Sequence, residues 1–164
     1  PDIEGTLTDM SLVKTGSVDA VYSSHNIEHI YPHEVQIALK EFYRVLKDDG
    51  IVVITCPDLQ SVCEAVVQDK LLEPLYETEE GHQISPIDIL YGWRPAIAGR
   101  NEYIAHKSGF TYSVLNTAFF EAGFKARYGG RVNENGVPNL FLVAFKEKIS
   151  EEEIKKIANP FFPS

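Results

Sequence analysis

The order of hydrophobic patterns along the chain predicts an α/β fold that ends in an antiparallel strand pair. Three stretches carry this prediction. Residues 18–23, VDAVYS, read as a buried strand. From Pro32 onward, Val35, Ala38, Leu39, Phe42 and Leu46 repeat at the spacing of one buried helix face. Residues 51–56, IVVITC, form a continuous β-branched run of the kind buried on both faces of a sheet.

The elements follow in order. Residues 1–10 can hold a short strand ending near Asp9, and Lys14–Ser17 is a turn. The strand at 18–23 comes next, then a helix with Pro32 at or near its first position. Lys47-Asp48-Asp49-Gly50 ends that helix, with Gly50 suited to the left-handed position after it. After the strand at 51–56, Pro57-Asp58 opens a second helix carrying Leu59, Val62, Cys63 and Val66, with Asp58 as its N-cap and Cys63 toward the core. Residues 72–108 are irregular and rich in Pro, Gly and aromatics, too long for a passive connection, and read as a lid-like insertion. A helix over about 113–122 stops at Gly123. Residues 124–131 and 139–146 pair around NENGVP. Ser150 and Glu153 form a capping box for a short last helix. The expected organisation is one domain over 1–148, with the insertion at 72–108 and a tail at 149–164.

Composition narrows the function. The 164 residues are 44% apolar and 24% charged, which suits a globular domain with a real core. The net charge of −9 and the scattered Lys and Arg argue against a nucleic-acid partner. No apolar run is long enough to span a bilayer, so no membrane partner is expected. Two cysteines do not make a disulfide framework, and reduced thiols in a cytoplasmic protein are the expectation.

The densest chemistry lies at residues 23–34, SSHNIEHIYPHE, with three histidines and two glutamates. His25, Glu28 and His29 spell H-x-x-E-H, which is also the signature of inverted zinc peptidases. That zinc site needs a continuous helix, so that both histidines share one face. Here the string starts directly after a strand, Pro32 follows closely, and His33, His82, His106 or a carboxylate supplies a third ligand at no recognisable spacing. No metal is therefore expected. The cluster instead lies beyond the carboxyl end of a strand, where open α/β sheets bind ligands.

The stretch SVDAVYSSHNIEHI, followed by ALKEFYRVLKDDGIVVITCPD, resembles the second half of a class I S-adenosylmethionine-dependent methyltransferase of the type 11 kind. Asp19, Val21, His25, Glu28, His29, Arg44, Val45, Leu46, Lys47, Gly50 and Pro57 fill the family's places, with Asp49 standing for the first of its usual two glycines. HKSGFTYSVLNTAFFEAGF is similar to the family's later helix. The resemblance covers most of residues 9–146. It implies a Rossmann-like sheet, mostly parallel with a final antiparallel pair, and helices on both faces. It also implies S-adenosylmethionine as cofactor and a small-molecule or saccharide-like acceptor. The family's first strand and its G-x-G-x-G loop have no counterpart in the sequence, and residue 1 is Pro rather than Met. This implies a truncated chain, weak cofactor binding if Pro1 is the true start, and an exposed sheet edge at 18–23 prone to homo-oligomer formation.

The resemblance assigns roles residue by residue. Asp9 and Met10 would meet the adenine, unless they are an ordinary turn and a core Met. Ser23, Ser24 and His25 would lie beside the cofactor's sulfonium and the acceptor. His25 is the candidate base, its ordinary pKa near 6.5 suiting neutral pH. Glu28 and His29 would orient it or bind the acceptor, the alternative being a capped turn. Tyr91, Trp93, Arg94 and His106, with Asn101 and Tyr103, would form a substrate cap or else a satellite hydrophobic cluster. The competing readings are a non-catalytic fragment of the same fold and a zinc hydrolase.

Overall fold

The computed structural model describes residues 3–162. Its centre is a strand–helix–strand unit: β1 (Val18–Ser24), α1 (Val35–Val45) and β2 (Leu46–Pro57). β1 and β2 are parallel neighbours, with Ala20 opposite Ile51 and Ser24 opposite Thr55. A hairpin completes the sheet: β5 (Ala126–Glu134) and β6 (Val137–Phe145), with β6 antiparallel to β2. The sheet order is β1-β2-β6-β5, so β1 lies at one edge of this mixed sheet.

Local chemistry accounts for each element. Val35, Ala38, Leu39 and Phe42 are buried on the sheet-facing side of α1, as the spacing predicts. Full burial of one such large side chain contributes roughly 1.5–3 kcal/mol. The helix starts at Val35 rather than Pro32, because residues 32–34 form a turn. Gly50 does not occupy a left-handed position. α1 ends at Val45, Leu46 is already extended, and the chain bulges through 47–50 before β2 pairs regularly. Glycine is needed there for space: a Cβ would sit 2.8 Å from Leu46 Cδ2 and 3.0 Å from the Asp19 carbonyl oxygen. The hairpin turns on Asn135 and Gly136, both at positive φ, which matches the right-handed twist of the flanking strands.

Helices cover both faces. On one face, α1 and α5 (Tyr112–Glu121) bury Leu39, Phe42, Leu115 and Phe119 against Val52, Ile54, Leu140 and Leu142. On the other, α6 (Glu151–Ala158) lays Ile154 and Ala158 on Val53, Phe141 and Val143. Ser150 caps α6 by accepting from the Glu153 N–H, and Thr111 caps α5. Asp58 caps α2 (Leu59–Val67) through the Gln60 N–H, as its position predicts. Cys63 on α2 is exposed rather than core, because the inward face of this short helix is held by Val62 and Ala65. Cys56 is buried, and that burial pushes its thiol pKa well up.

The N-terminal segment holds no strand among the described residues. Residues 6–13 form turns closed by hydrogen bonds between Thr6 and Asp9 and between Val13 and Met10. The 72–108 segment is more ordered than its composition predicts. It holds a two-stranded sheet, β3 (Tyr76–Glu77) with β4 (Gln83–Ile84), and two short helices, α3 (Pro86–Tyr91) and α4 (Arg94–Ala98). Val62, Ile84 and Ile89, with Trp93 and Tyr76, form a separate hydrophobic cluster beneath it. No helix among the described residues is long and apolar enough to cross a membrane.

Candidate functional site

The carboxyl ends of β1 and β2 and the amino end of antiparallel β6 meet at one rim of the sheet. His25 leaves β1 with its backbone N–H donating to the Thr55 carbonyl and with φ at +49°. A non-glycine residue in that region is uncommon and turns the chain sharply. The turn feeds a short 3-10 helix at Ile27–His29. H-x-x-E-H therefore does not lie on a continuous α-helix, and the two-histidine face of a zinc peptidase is not formed.

The 72–108 segment closes over this turn. The backbone N–H groups of Lys107 and Ser108 both donate to the Glu28 carbonyl, at 2.8 and 3.0 Å, and Ser108 Oγ donates to the Ile27 carbonyl. That clamp sets His106 against His29, with ring centroids 4.8 Å apart in an edge-to-face arrangement. His29 Nδ1 lies 3.1 Å from the Ala105 carbonyl oxygen, and His106 Nδ1 lies 2.6 Å from that of Ile89. Burial lowers the His106 imidazole pKa, against the opposing effect of its hydrogen bond to Ile89. Gly92 permits the clamp. A Cβ there would stand 2.3 Å from the Ile104 carbonyl oxygen, and its φ is +98°.

Glu28 is 1% exposed. Its Oε1 lies 3.4 Å from His25 Nδ1, close but not aligned as a hydrogen bond, and neither carboxylate oxygen has a hydrogen-bond partner among the described residues. Asn139 Oδ1, at the amino end of β6, is likewise buried and unpartnered. Both residues line a cavity of about 220 Å³ with His25, His29, Trp93 and His106. Asn139 was not legible as a site residue, since it reads only as a polar residue near a hairpin. Tyr91 lines an adjoining cleft of about 250 Å³ that also touches Glu28 and His106.

The remaining candidates are scattered. Asp9 and Met10 line a separate cleft of about 500 Å³ with Asn26. Arg44 holds this segment to α1, donating to the Met10 and Val13 carbonyls, while Glu41 accepts from the Met10 N–H. Asp9 Oδ1 accepts from the Ser11 N–H, and this bond lowers the carboxyl pKa. Ser23 is buried, and its Oγ has no hydrogen-bond partner among the described residues. Ser24 accepts from Thr55 Oγ1 and lines a different pocket, with Phe161 and Phe162. Alternation along a strand puts neighbouring residues on opposite faces, so Ser23 and Ser24 do not act together. Arg94 is not a free cap cation: it binds Asp88 through Nε and Nη2 at 2.7 and 3.2 Å, inside the insertion. Tyr103 is 92% exposed, and neither it nor Asn101 reaches the cavity. Arg131, which the sequence did not single out, pairs with buried Asp58 at 2.6 Å.

With this geometry in view, comparison with known proteins is informative. Residues 2–54 match a protein family described as a methyltransferase domain. A Thermotoga maritima S-adenosylmethionine-dependent methyltransferase, described as a possible histamine N-methyltransferase, superposes with a TM-score of 0.55 at 16% identity, over 88% of this chain and 63% of that one. A Methanosarcina mazei S-adenosylmethionine-dependent methyltransferase gives 0.54 at 16% identity, over 87% and 65%. Burkholderia thailandensis 1,6-didemethyltoxoflavin-N1-methyltransferase, solved with 1,6-didemethyltoxoflavin and S-adenosylhomocysteine bound, gives 0.51 at 14%, over 87% and 48%. This chain thus spans less than two thirds of the length of these structures. No curated protein sequence matches it. The family resemblance carried by residues 18–57 is the one found by comparison, and the chain has the fold of class I S-adenosylmethionine-dependent methyltransferases.

Proposed function

We propose that this chain takes part in S-adenosylmethionine-dependent methyl transfer to a small-molecule or saccharide-like acceptor, and that the rim cavity at the end of β1 receives the acceptor. The observation that carries this reading is positional. Within a methyltransferase fold, a cavity lined by His25, Glu28, His29, His106 and Asn139 opens at the carboxyl ends of the two parallel strands. The Burkholderia structure with bound S-adenosylhomocysteine supports the choice of cofactor.

The residues present fit part of that cofactor. The cleft at Asp9, Met10 and Asn26 offers an exposed carboxylate, an apolar side chain and a short amide, which suits the polar edge and flat face of an adenine. The sequence contains no glycine-rich loop to hold the methionine portion. The cofactor, when bound, supplies a methyl group on a cationic sulfur. The chain's own residues do the rest by positioning. His25, with its ring half-exposed beside Glu28, can take a proton from an acceptor that must lose one. Asn139 Oδ1 can accept a hydrogen bond from an acceptor hydroxyl or amine. Trp93 supplies an apolar wall.

The test is transfer of label from methyl-labelled S-adenosylmethionine to panels of hydroxylated, amine and saccharide acceptors, alongside calorimetry with S-adenosylhomocysteine. Expected is transfer to one class, reduced at least tenfold by His25→Ala or Asn139→Ala. A second reading is a non-catalytic chain of the same fold. It predicts neither transfer nor S-adenosylhomocysteine binding, and that result would displace the first.

A further inference from the structure

The cluster at the end of β1 has a property that methyl transfer does not require. One ligand-type atom each from Glu28, His29 and His106 lies within 4.8 Å of the others. Both imidazoles are oriented from behind. A carbonyl oxygen only accepts, so His29 Nδ1 donates to Ala105 and His106 Nδ1 donates to Ile89. Each ring is left with its lone pair at Nε2. This is the arrangement in which a second partner fixes the tautomer and orientation of a metal-binding histidine.

Glu28 supplies the independent observation. It is almost fully buried, it lies in the cluster, and both of its oxygens lack a donor among the described residues. A buried carboxylate without donors is unfavourable. Two imidazole lone pairs and a carboxylate thus gather with no donor between them, and a cation satisfies all three at once. The backbone clamp from Lys107 and Ser108 to Glu28 holds the distant ligand in register with the local pair.

We propose that Glu28, His29 and His106 form a binding site for a divalent first-row transition cation. Two imidazoles and one carboxylate suit Zn²⁺, Co²⁺, Fe²⁺ or Mn²⁺, and they suit Mg²⁺ poorly, because Mg²⁺ prefers oxygen ligands. Three protein ligands leave positions open toward the 220 Å³ cavity for water or for an oxygen of a bound molecule. His25, within 3.4 Å of Glu28, stands as an outer partner. The sequence argued against metal because no third ligand had a recognisable spacing, and the fold supplies that ligand from the 72–108 segment. The site does not depend on the methyl-transfer reading.

The experiment uses the full chain, stripped with a chelator and titrated with Co²⁺, Zn²⁺, Mn²⁺ and Mg²⁺ by calorimetry, with Co²⁺ absorption as a spectroscopic readout. Expected is one equivalent of Zn²⁺ or Co²⁺ per chain, bound about 100-fold or more tightly than Mg²⁺. Glu28→Gln and His106→Ala each weaken uptake at least tenfold. His33→Ala, whose ring stacks on Tyr31 rather than in the cluster, leaves it unchanged. Near-ultraviolet dichroism checks that each variant is folded. Where one is not, the deciding readout is a metal-induced, chelator-reversible rise in the unfolding temperature of the unmodified chain. Absence of stoichiometric uptake by the unmodified chain overturns the proposal, as does uptake that survives both Glu28→Gln and His106→Ala. A failed methyl-transfer assay bears on the proposed function and leaves this result standing.

Discussion

Asp88 and Glu28 are both buried acids, 4% and 1% exposed, and their surroundings are opposite. Asp88 accepts from the Ser85 N–H and Oγ, and from the N–H, Nε and Nη2 of Arg94. All of these donors lie close in sequence, and together they brace α3 and the chain that follows it. Glu28 has two histidines beside it in sequence and a third brought from the insertion, yet no donor among the described residues reaches its oxygens. A buried carboxylate surrounded by donors holds a structure together. Glu28, without such donors, is where the proposed cation would sit.

The contrast is tested most strongly by deleting each acid. Asp88→Ala removes a buried charge that several donors serve, and it is expected to cost about 2–3 kcal/mol, read from urea unfolding. Glu28→Gln removes no hydrogen bond and keeps the shape, so its effect on stability is expected to stay within about 1 kcal/mol. Equal losses from the two changes would erase the distinction.

Gly92→Ala comes next. It forces a Cβ against the Ile104 carbonyl at a positive φ, with an expected cost of about 1–3 kcal/mol. Because Gly92 underlies the segment that carries His106, the same change is expected to weaken Co²⁺ uptake while Asp88 keeps its donors. Normal uptake in a folded Gly92→Ala chain would show that the clamp does not depend on this close approach.

The pH dependence of stability is a milder effect. Burial alone would raise the Asp88 carboxyl pKa, but hydrogen bonds from Arg94 and Ser85 outweigh it and hold the group well below the usual carboxylate range. The Glu41 carboxyl is held at about 2, chiefly by its hydrogen bond to Arg44. A lowered folded-state pKa gives stability that is present above the unfolded value, near 4, and is lost as pH falls toward the folded value. Urea midpoints should therefore be flat near neutrality and fall below about pH 4. Asp88→Asn should flatten that acid limb. The smallest effect is expected at the caps: Thr111→Ala should cost about 0.5–1 kcal/mol and leave metal uptake untouched.

The same contrast separates what could be read along the chain from what could not. The face formed by Val35, Ala38, Leu39 and Phe42 was legible because helix periodicity is a local property and burial follows it. The β-branched run at 51–56 was legible as the buried middle of the sheet for the same reason. So were the caps at Asp58 and Ser150, where a side chain meets a backbone amide two or three residues on. Gly50 was misread because sequence alone does not separate a glycine needed for positive φ from one needed for space. The pairing of Arg94 with Asp88 was not legible, because Asp88 drew no notice in an insertion of mixed composition. His25, Glu28 and His29 were legible as a cluster, but their relation to His106 was not.

Sequence by itself determined the strand–helix–strand core, the hairpin at Asn135-Gly136, the family resemblance and the concentration of titratable groups after β1. Those features rest on periodicity, turn chemistry and near neighbours, which act over a few residues. Tertiary structure alone decided that Asp9 and Met10 serve a different cleft from His25, and that Asn139 joins the rim. It also decided that His106 reaches Glu28 and His29. That meeting depends on a backbone clamp between segments far apart in the chain, closed by Lys107 and Ser108 on the Glu28 carbonyl and allowed by the missing side chain of Gly92. Backbone hydrogen bonds carry no side-chain signature, so the contact that assembles the site leaves no pattern to be read in advance.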